Sequence, residues 1–436
     1  MKIIRVLRVV LAVFPLILMA QTVTTLNLAP GTLTPEQTEL NQVIAEANGS
    51  PVDIIRVLEA HLRKYPDTQR RTEIYGTIYK YSVDLNDQRR VILYGGKMLD
   101  GSPPEEIEIL DRVLHALLAT NDTEAAKQAL IYARRYEAGV KEKETREPDG
   151  HATAAQWANL GERAMARATV LEARAEGNLG NAEESVAAAR RSWNLSPTAE
   201  SAQEMGRSLQ KLGREAEAID RYADAAMIED TGFPWTARDA DRKVATELYV
   251  KVHGNDQGLG DVFLHAWDRS AAAIRERTAR YKAMDPNFGL TDPYQFVLPE
   301  LDGNATAADA LDMAKLKGKT LVIDFWATWC GPCIAQHPMI EEVRQKYATS
   351  PDVVFLSIDS DDDRTLVKPF LETQKWTQRV YHEGGLGGLL NVSALPTILV
   401  IDPTGKSVSR MSGLNPEVFE SALSARIDEA RAVKAQ

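Results

Sequence analysis

Cysteine is almost absent from this chain: its 436 residues contain two. A scaffold stapled by disulfides is thereby excluded, because such folds need several bridges. A zinc site built on thiolates is excluded too. Two cysteines do not complete one, and the seven histidines do not cluster at ligand spacings. A basic excess is also lacking. The formal net charge is −11, whereas nucleic-acid binding needs a basic stripe, so no nucleic-acid partner is expected. No glycine-rich phosphate loop occurs. After the N-terminus no run is apolar enough to span a bilayer, which takes about 20 residues. What remains is ordinary soluble composition, 44% hydrophobic and 26% charged. The length suggests two or three domains at about 100–200 residues each.

The N-terminus reads "MKIIRVLRVVLAVFPLILMAQ". Lys2, Arg5 and Arg8 precede an apolar run from Val9 to Ala20. That pattern fits a signal peptide over residues 1–20, with cleavage after Ala20. Leu18 sits where a small residue is preferred, so an uncleaved N-terminal anchor is the alternative. Either way an exported, periplasmic protein is expected, and no cysteine follows the run to carry a lipid anchor.

From Ile54 to Ala283 the chain reads as helix after helix, and residues 21–285 form one expected α-helical region. "DIIRVLEAHLRKYP" stops at Pro66, and "LDRVLHALLATNDTEAAKQALIYARRY" reads as two helices joined at Asn121-Asp122. "NLGNAEESVAAARRSWNLSP" and "KLGREAEAIDRYADAAMIED" place Leu179-Gly180 over Leu212-Gly213. This spacing resembles the tetratricopeptide repeat, whose period is about 34 residues. The second copy carries Met205, Gly206, Leu212, Gly213, Ala218, Tyr222 and Ala225 at the small and apolar positions. The first departs from the pattern at Glu172 and Glu176. Such an array implies either a concave surface for a protein partner or a scaffold whose Ala-rich faces pack on one another.

The composition shifts at "MDPNFGLTDPYQFVLPELDG", where Pro286, Pro293 and Pro299 mark a boundary. Over residues 286–436 helix and strand signals alternate. "TLVIDFWA" and "DVVFLSIDS" read as strands, and "CIAQHPMIEEVRQKYA" and "RTLVKPFLETQK" as helices. "PTILVIDPTGKSVSRMSG" reads as a hairpin turning at Pro403-Thr404-Gly405-Lys406, and "NPEVFESALSARIDEARA" as a closing helix. The expected result is a mixed sheet with helices on its faces.

Both cysteines lie in "LVIDFWATWCGPC", as Cys330 and Cys333. A bridge closing so small a loop restrains an unfolded chain weakly, so reversible redox work explains the pair better than a structural staple. The pair follows a buried strand and opens a helix. The helix N-terminus, with its free N–H groups and positive dipole end, stabilises a thiolate. Cys330 is the expected reactive sulfur. Cys333, one turn inside and expected to be less exposed, is placed to attack a mixed disulfide on Cys330. Pro332 is tolerated in the first turn, Gly331 lets a substrate chain approach, and Pro338 should kink the helix. Leu395-Pro396-Thr397 precedes a strand, where proline suggests a turn or a cis bond.

Taken together, "DFWATWCGPC", the helix proline, "ALPT" and "IDPTGK" resemble the thioredoxin fold. The lead-in "FVLPELDG" and the extra segment 359–390 resemble its exported, TlpA/ResA-like branch of thiol–disulfide oxidoreductases. The resemblance covers residues 290–432. It implies that Cys330 attacks and Cys333 resolves. It also implies that Pro396 is a cis-proline beside the site, with Leu395 offering backbone pairing to a bound peptide. Trp329 matches the tryptophan flanking the dithiol. Asp324 matches a buried acid that could take the proton of Cys333, its pKa raised by burial; a strand-end Asp exposed to water is the alternative. The lysine that partners this acid in ordinary thioredoxins is replaced, with Phe355 at its place.

Other candidates are plainer. His337 shares a helix face with Cys333 and could tune a thiol, or simply pack. Asp359, Asp361, Asp362 and Asp363 form an acidic run. It lacks the glycine and final Glu of an EF-hand loop and is expected to be a solvated face.

The fold class expected is thus multidomain: a tetratricopeptide-like α-helical hairpin array followed by an α/β thioredoxin fold. The function expected is exported thiol–disulfide exchange with protein disulfide substrates. Gly331-Pro332 resembles the reducing members, which favours a reductase. No cofactor beyond the cysteine pair is implied, and electrons would come from a membrane thiol donor. The competing reading is a partner-binding helical-repeat adaptor with a redox-sensing appendage. A peroxidase is disfavoured, since no Pro-x-x-x-Thr-x-x-Cys surrounds Cys330.

Overall fold

The computed structural model describes residues 34–100, 106–120, 122–145, 152–229, 235–301, 310–413 and 415–433. The expected signal peptide lies outside them. The contacts divide the chain into two compact units, residues 1–102 and 103–436.

The first unit holds α1 (Pro35–Glu46), α2 (Pro51–Lys64), α3 (Arg71–Asp84) and α4 (Gln88–Leu99). Thr34 opens α1 with a capping box, Ser50 caps α2 and Asp87 caps α4, each satisfying an N–H that the helix leaves free. Leu40, Ile54, Ile55, Leu58, Ile74 and Ile78 recur at helical spacing and close the core between them.

The second unit begins with α5 (Ile107–Leu118), α6 (Thr123–Glu144), α7 (Ala154–Leu179), α8 (Ala182–Leu195), α9 (Ala199–Lys211), α10 (Glu215–Met227), α11 (Trp235–His253) and α12 (Leu259–Met284). Asp122 caps α6 beside the expected break. Gly180 ends α7 at φ 89° and Gly213 follows α9 at φ 73°, so the repeated Leu-Gly marks the turn inside each hairpin. Gly206 lets helices α9 and α10 close up: a Cβ there would stand 3.0 Å from the Tyr222 ring.

Glu172 and Glu176, which break the repeat pattern, are buried yet paired. Arg134 reaches both, Arg191 binds Glu172, and Asn181 donates to Glu176. A second chain of charge crosses α5, α7 and α9. Arg167 joins Asp111 to Glu200, Arg174 joins Glu200 to Glu204, and Arg207 also binds Glu204. Charges this enclosed persist because each carboxylate has its cation.

Helix α12 leads into a short antiparallel pair, β1 (Val297–Leu298) and β2 (Leu311–Asp312). The main sheet follows: β3 (Thr320–Trp326), β4 (Val353–Asp359), β5 (Val380–His382), β6 (Thr397–Ile401) and β7 (Ser407–Ser412), in the order β5-β4-β3-β6-β7. The pairs β3–β4 and β4–β5 are parallel; β3–β6 and β6–β7 are antiparallel. Helix α13 (Gly331–Lys346) crosses between β3 and β4, α14 (Val367–Gln374) and the one-turn α15 (Leu386–Leu389) lie between β4 and β6, and α16 (Phe419–Arg431) closes the chain. Strands β3 and β6 are packed on both faces, as their Val- and Ile-rich sequences require, while edge strand β7 stays partly exposed. The hairpin turn is held by Asp402, whose side chain accepts from the amides of Thr404 and Lys406. Every strand and helix read from the sequence after residue 286 is present; β1, β2, the three-residue β5 and the one-turn α15 are additional.

A knot of polar groups ties the array to this sheet. Thr153, the cap of α7, donates to Asp285 at 2.9 Å. Asp285 accepts from the Asn287 amide, and the Asn287 side chain brackets Val297 and reaches the Gly384 carbonyl. Gly385, at φ 85°, leaves room for Gln156: a Cβ would stand 3.0 Å from its side chain.

Candidate active site

Central strand β3 delivers the chain to the dithiol. Its last residues, Phe325 and Trp326, are buried, and Cys330 then forms the N-cap of α13. The Cys330 sulfur accepts the Cys333 N–H at 3.2 Å, a bond that places it where the first turn stabilises negative charge. Gly331 and Pro332 are the first two helical residues, and the proline occupies a position whose N–H has no helical partner. Pro338 lies within the same continuous helix.

Cys330 and Cys333 are joined in a disulfide, with Cα atoms 5.2 Å apart. The expectation that Cys333 is the less exposed does not hold: both residues are 4% exposed. They share one apolar cluster with Trp326, Ala327, Val367 and Val380, against which Leu301, Phe370, Trp376 and Leu395 pack. What reaches solvent is the rim. Trp329 is 71% exposed, and Gly331 and Pro332 are open too.

The Leu395–Pro396 peptide is cis. Pro396 immediately precedes β6, whose Thr397 pairs with Phe325 of β3, so it lies beside the strand end that carries the dithiol. Thus Cys330, Cys333, Trp329, Leu395 and Pro396, separated by as many as 67 positions in the chain numbering, meet at one end of the sheet.

Asp324 sits mid-register in β3, paired between Ser357 and Ile398. This overturns the exposed strand-end alternative. Its remaining surface faces a cavity of about 280 Å³ that Glu341, Arg344, His337, Phe355 and Ser357 help to line. Burial, with the Glu341 charge adding, pushes its carboxyl up to about 7. His337 is packed: its ring stacks on Trp376 at 3.6 Å, and burial lowers its pKa. Trp376 in turn meets Trp326 and Phe370 edge-on, so the segment after β4 supplies an aromatic wall to the site.

The acidic run is not a solvated face. Asp359 is fully buried and Asp361 is 2% exposed, while Asp362 and Asp363 are exposed. Burial and the neighbouring Asp361 push Asp359 up to about 9. Asp361 accepts from the Thr328 amide at 2.7 Å and from its hydroxyl at 2.8 Å. The sequence held a signal for this contact. Trp326 and Asp359 are register partners on parallel strands, so residues two further along each, 328 and 361, come face to face. A run of four acids hid it, because such runs are usually solvated. Glu383 is also buried and accepts from the Ser360 hydroxyl. Among the described residues no group of three or more His, Cys, Asp or Glu side chains is arranged to hold a metal ion.

A dithiol at a helix N-cap that follows the central strand of a mixed sheet, with a cis-proline at the start of the neighbouring strand, defines a redox domain of thioredoxin type. Comparison with known proteins agrees. The Redoxin family model matches residues 286–427. Thioredoxin-1 of Saccharomyces cerevisiae is 32% identical over 118 residues, covering 27% of this chain and 91% of the yeast protein. The thiol-disulfide oxidoreductase ResA of Bacillus cereus is 32% identical over 120 residues, covering 27% of this chain and 66% of ResA; the chain thus spans just under two thirds of that relative. Among solved structures, a thiol:disulfide interchange protein of the thioredoxin family from Chlorobium tepidum is 25% identical, covers 31% of this chain and 92% of its own, and gives a TM-score of 0.26. StoA from Bacillus subtilis is 18% identical, covers 29% and 96% respectively, and gives 0.25. Through residues 286–427 the chain belongs to the thioredoxin family.

Proposed function

We propose that the chain is an exported protein thiol–disulfide oxidoreductase working as a disulfide reductase through Cys330 and Cys333. One observation carries the reading: the Cys330 sulfur caps α13 and accepts the Cys333 N–H while bonded to the Cys333 sulfur. In the reduced protein the Cys330 thiolate attacks a substrate disulfide. One substrate sulfur leaves as a thiolate, and the other is held in a mixed disulfide on Cys330. Cys333 gives up its proton, for which Asp324 is the acceptor, and attacks the Cys330 sulfur. The second substrate sulfur then leaves. Two electrons have passed to the substrate, and Cys330–Cys333 is oxidised. An external dithiol, proposed to be membrane-borne, returns the two electrons. Among the described residues no helix is long and apolar enough to cross a membrane.

Substrate is proposed to bind over Trp329, Gly331 and Pro332, with the backbone of Leu395 pairing to its chain. The carbonyls flanking Leu395 are already engaged: Ala394 accepts from the Thr397 hydroxyl and Pro396 from the Gly413 amide. The test is disulfide reduction by the full chain with a supplied dithiol. Cys330→Ser should abolish it, and Cys333→Ser should accumulate a covalent substrate adduct. A wild-type protein that leaves an accessible disulfide unreduced under these conditions would end the proposal.

A further inference from the structure

A buried carboxylate with no role in proton transfer, two residues past the end of β4, stands out beside the dithiol. Asp361 is 2% exposed, and its side chain bonds to the Thr328 amide and hydroxyl, while the neighbouring His382 approaches Asp359. Its two oxygens accept from Thr328, one from the amide and the other from the hydroxyl, and its side chain also shares a hydrogen bond with the Asp359 carboxyl, which is pushed up to about 9. The Asp361 amide donates to Asp359. A carboxylate taken out of water without a counter-ion is unfavourable, and strong hydrogen bonds are what hold it here.

Thr328 lies inside the turn closed by the Cys330 amide on the Ala327 carbonyl, at 3.1 Å. Its amide and hydroxyl fix that turn at two points, two residues before the reactive sulfur. We infer that Asp361 is a positioning residue of the dithiol: through Thr328 it sets the turn that aims the Cys330 sulfur at the Cys333 N–H in the first turn of α13. The inference rests on the thiol-exchange reading for its purpose, and its measurement does not depend on turnover.

Asp361 adjoins Asp359 at the end of β4, and the titratable groups that face Asp359 are His382 at the end of β5, Glu383 just after it, and Arg364 in the turn that follows Asp361. His382 stands 3.8 Å from Asp359. The groups packed around Cys330 are apolar. A loss of Asp361 can therefore act on the thiol in two ways of opposite sign. Losing a nearby negative charge would make the thiol more acidic; losing the aim at the helix N–H would make it less acidic.

The test is the rate at which iodoacetamide alkylates Cys330 in the reduced full chain, followed by mass spectrometry from pH 5 to 10. For Asp361→Ala we expect alkylation at pH 7 to slow by about fivefold or more, with the same plateau at high pH, as a weakened thiolate-stabilising bond requires. Asp361→Asn offers an oxygen to the amide and an N–H to the hydroxyl, and should stay within about twofold of wild type. Asp361→Glu keeps the charge and loses the fit, and should behave as Asp361→Ala. Thr328→Val removes only the hydroxyl bond and should shift the profile part-way in the same direction, which keeps the test open if the Ala variant does not fold. Unchanged profiles in folded variants, or faster alkylation in both Ala and Asn, would overturn the inference. Failure of the wild type to reduce a disulfide leaves this profile readable and counts against the proposed function alone.

Discussion

Replacing Asp324 with Asn isolates one carboxyl on the central strand. Its pKa is about 7 in the fold against an ordinary 3.8. The folded state therefore binds a proton across a window in which the unfolded chain has released it, and stability falls as pH rises from about 4 to about 7. At about 1.4 kcal/mol per unit, three units amount to about 4 kcal/mol lost by pH 8. Asn has no proton to lose. The variant's stability relative to wild type should therefore climb by up to about 4 kcal/mol between pH 4 and pH 8 and then level off. The assay is urea unfolding of the oxidised protein, so that no thiol titrates, with survival of residues 286–436 read by pulse proteolysis. A difference that is flat across this range would refute the reasoning: the carboxyl would then be hydrated through its cavity and titrate normally. The same variant should slow the resolving step, visible as a longer-lived mixed disulfide.

Three further outcomes follow from the packing. Gly206→Ala drives a methyl to 3.0 Å from the Tyr222 ring and should cost about 1–3 kcal/mol of array stability, read from the denaturant midpoint. Glu204→Ala strips a buried carboxylate from Arg174 and Arg207; a loss of about 3 kcal/mol is expected, larger than for Glu204→Gln, with thermal unfolding as the check. Trp329→Ala removes an exposed ring, so the melting temperature should hold while KM for a protein disulfide rises several-fold; an unchanged KM removes Trp329 from the binding rim.

Local chemistry made much of this legible in the sequence. The dithiol, Pro396 and the strands around them carry signals that need no distant partner: an apolar run, a helix start, a proline before a strand. The Leu-Gly turns of the array are equally local. The rest depends on company that arrives only on folding. Glu172 and Glu176 look out of place until Arg134 and Arg191 come from other helices. Asp359 and Asp361 read as surface until parallel pairing carries them behind Thr328. Strand β5, three residues long, has no pattern of its own and exists because β4 offers it an edge. The equal burial of the two cysteines comes from Phe370, Trp376 and Leu395, none of them near the motif in sequence.

The Thr153–Asp285–Asn287 knot has a kinetic consequence. The dithiol is not carried on a free tether that sweeps the space around the helices, so no high local concentration arises from a swinging arm. In the proposed reaction a disulfide would have to come to the exposed rim of Trp329, Gly331 and Pro332 where the anchored sheet holds it, so its orientation on approach would set its rate.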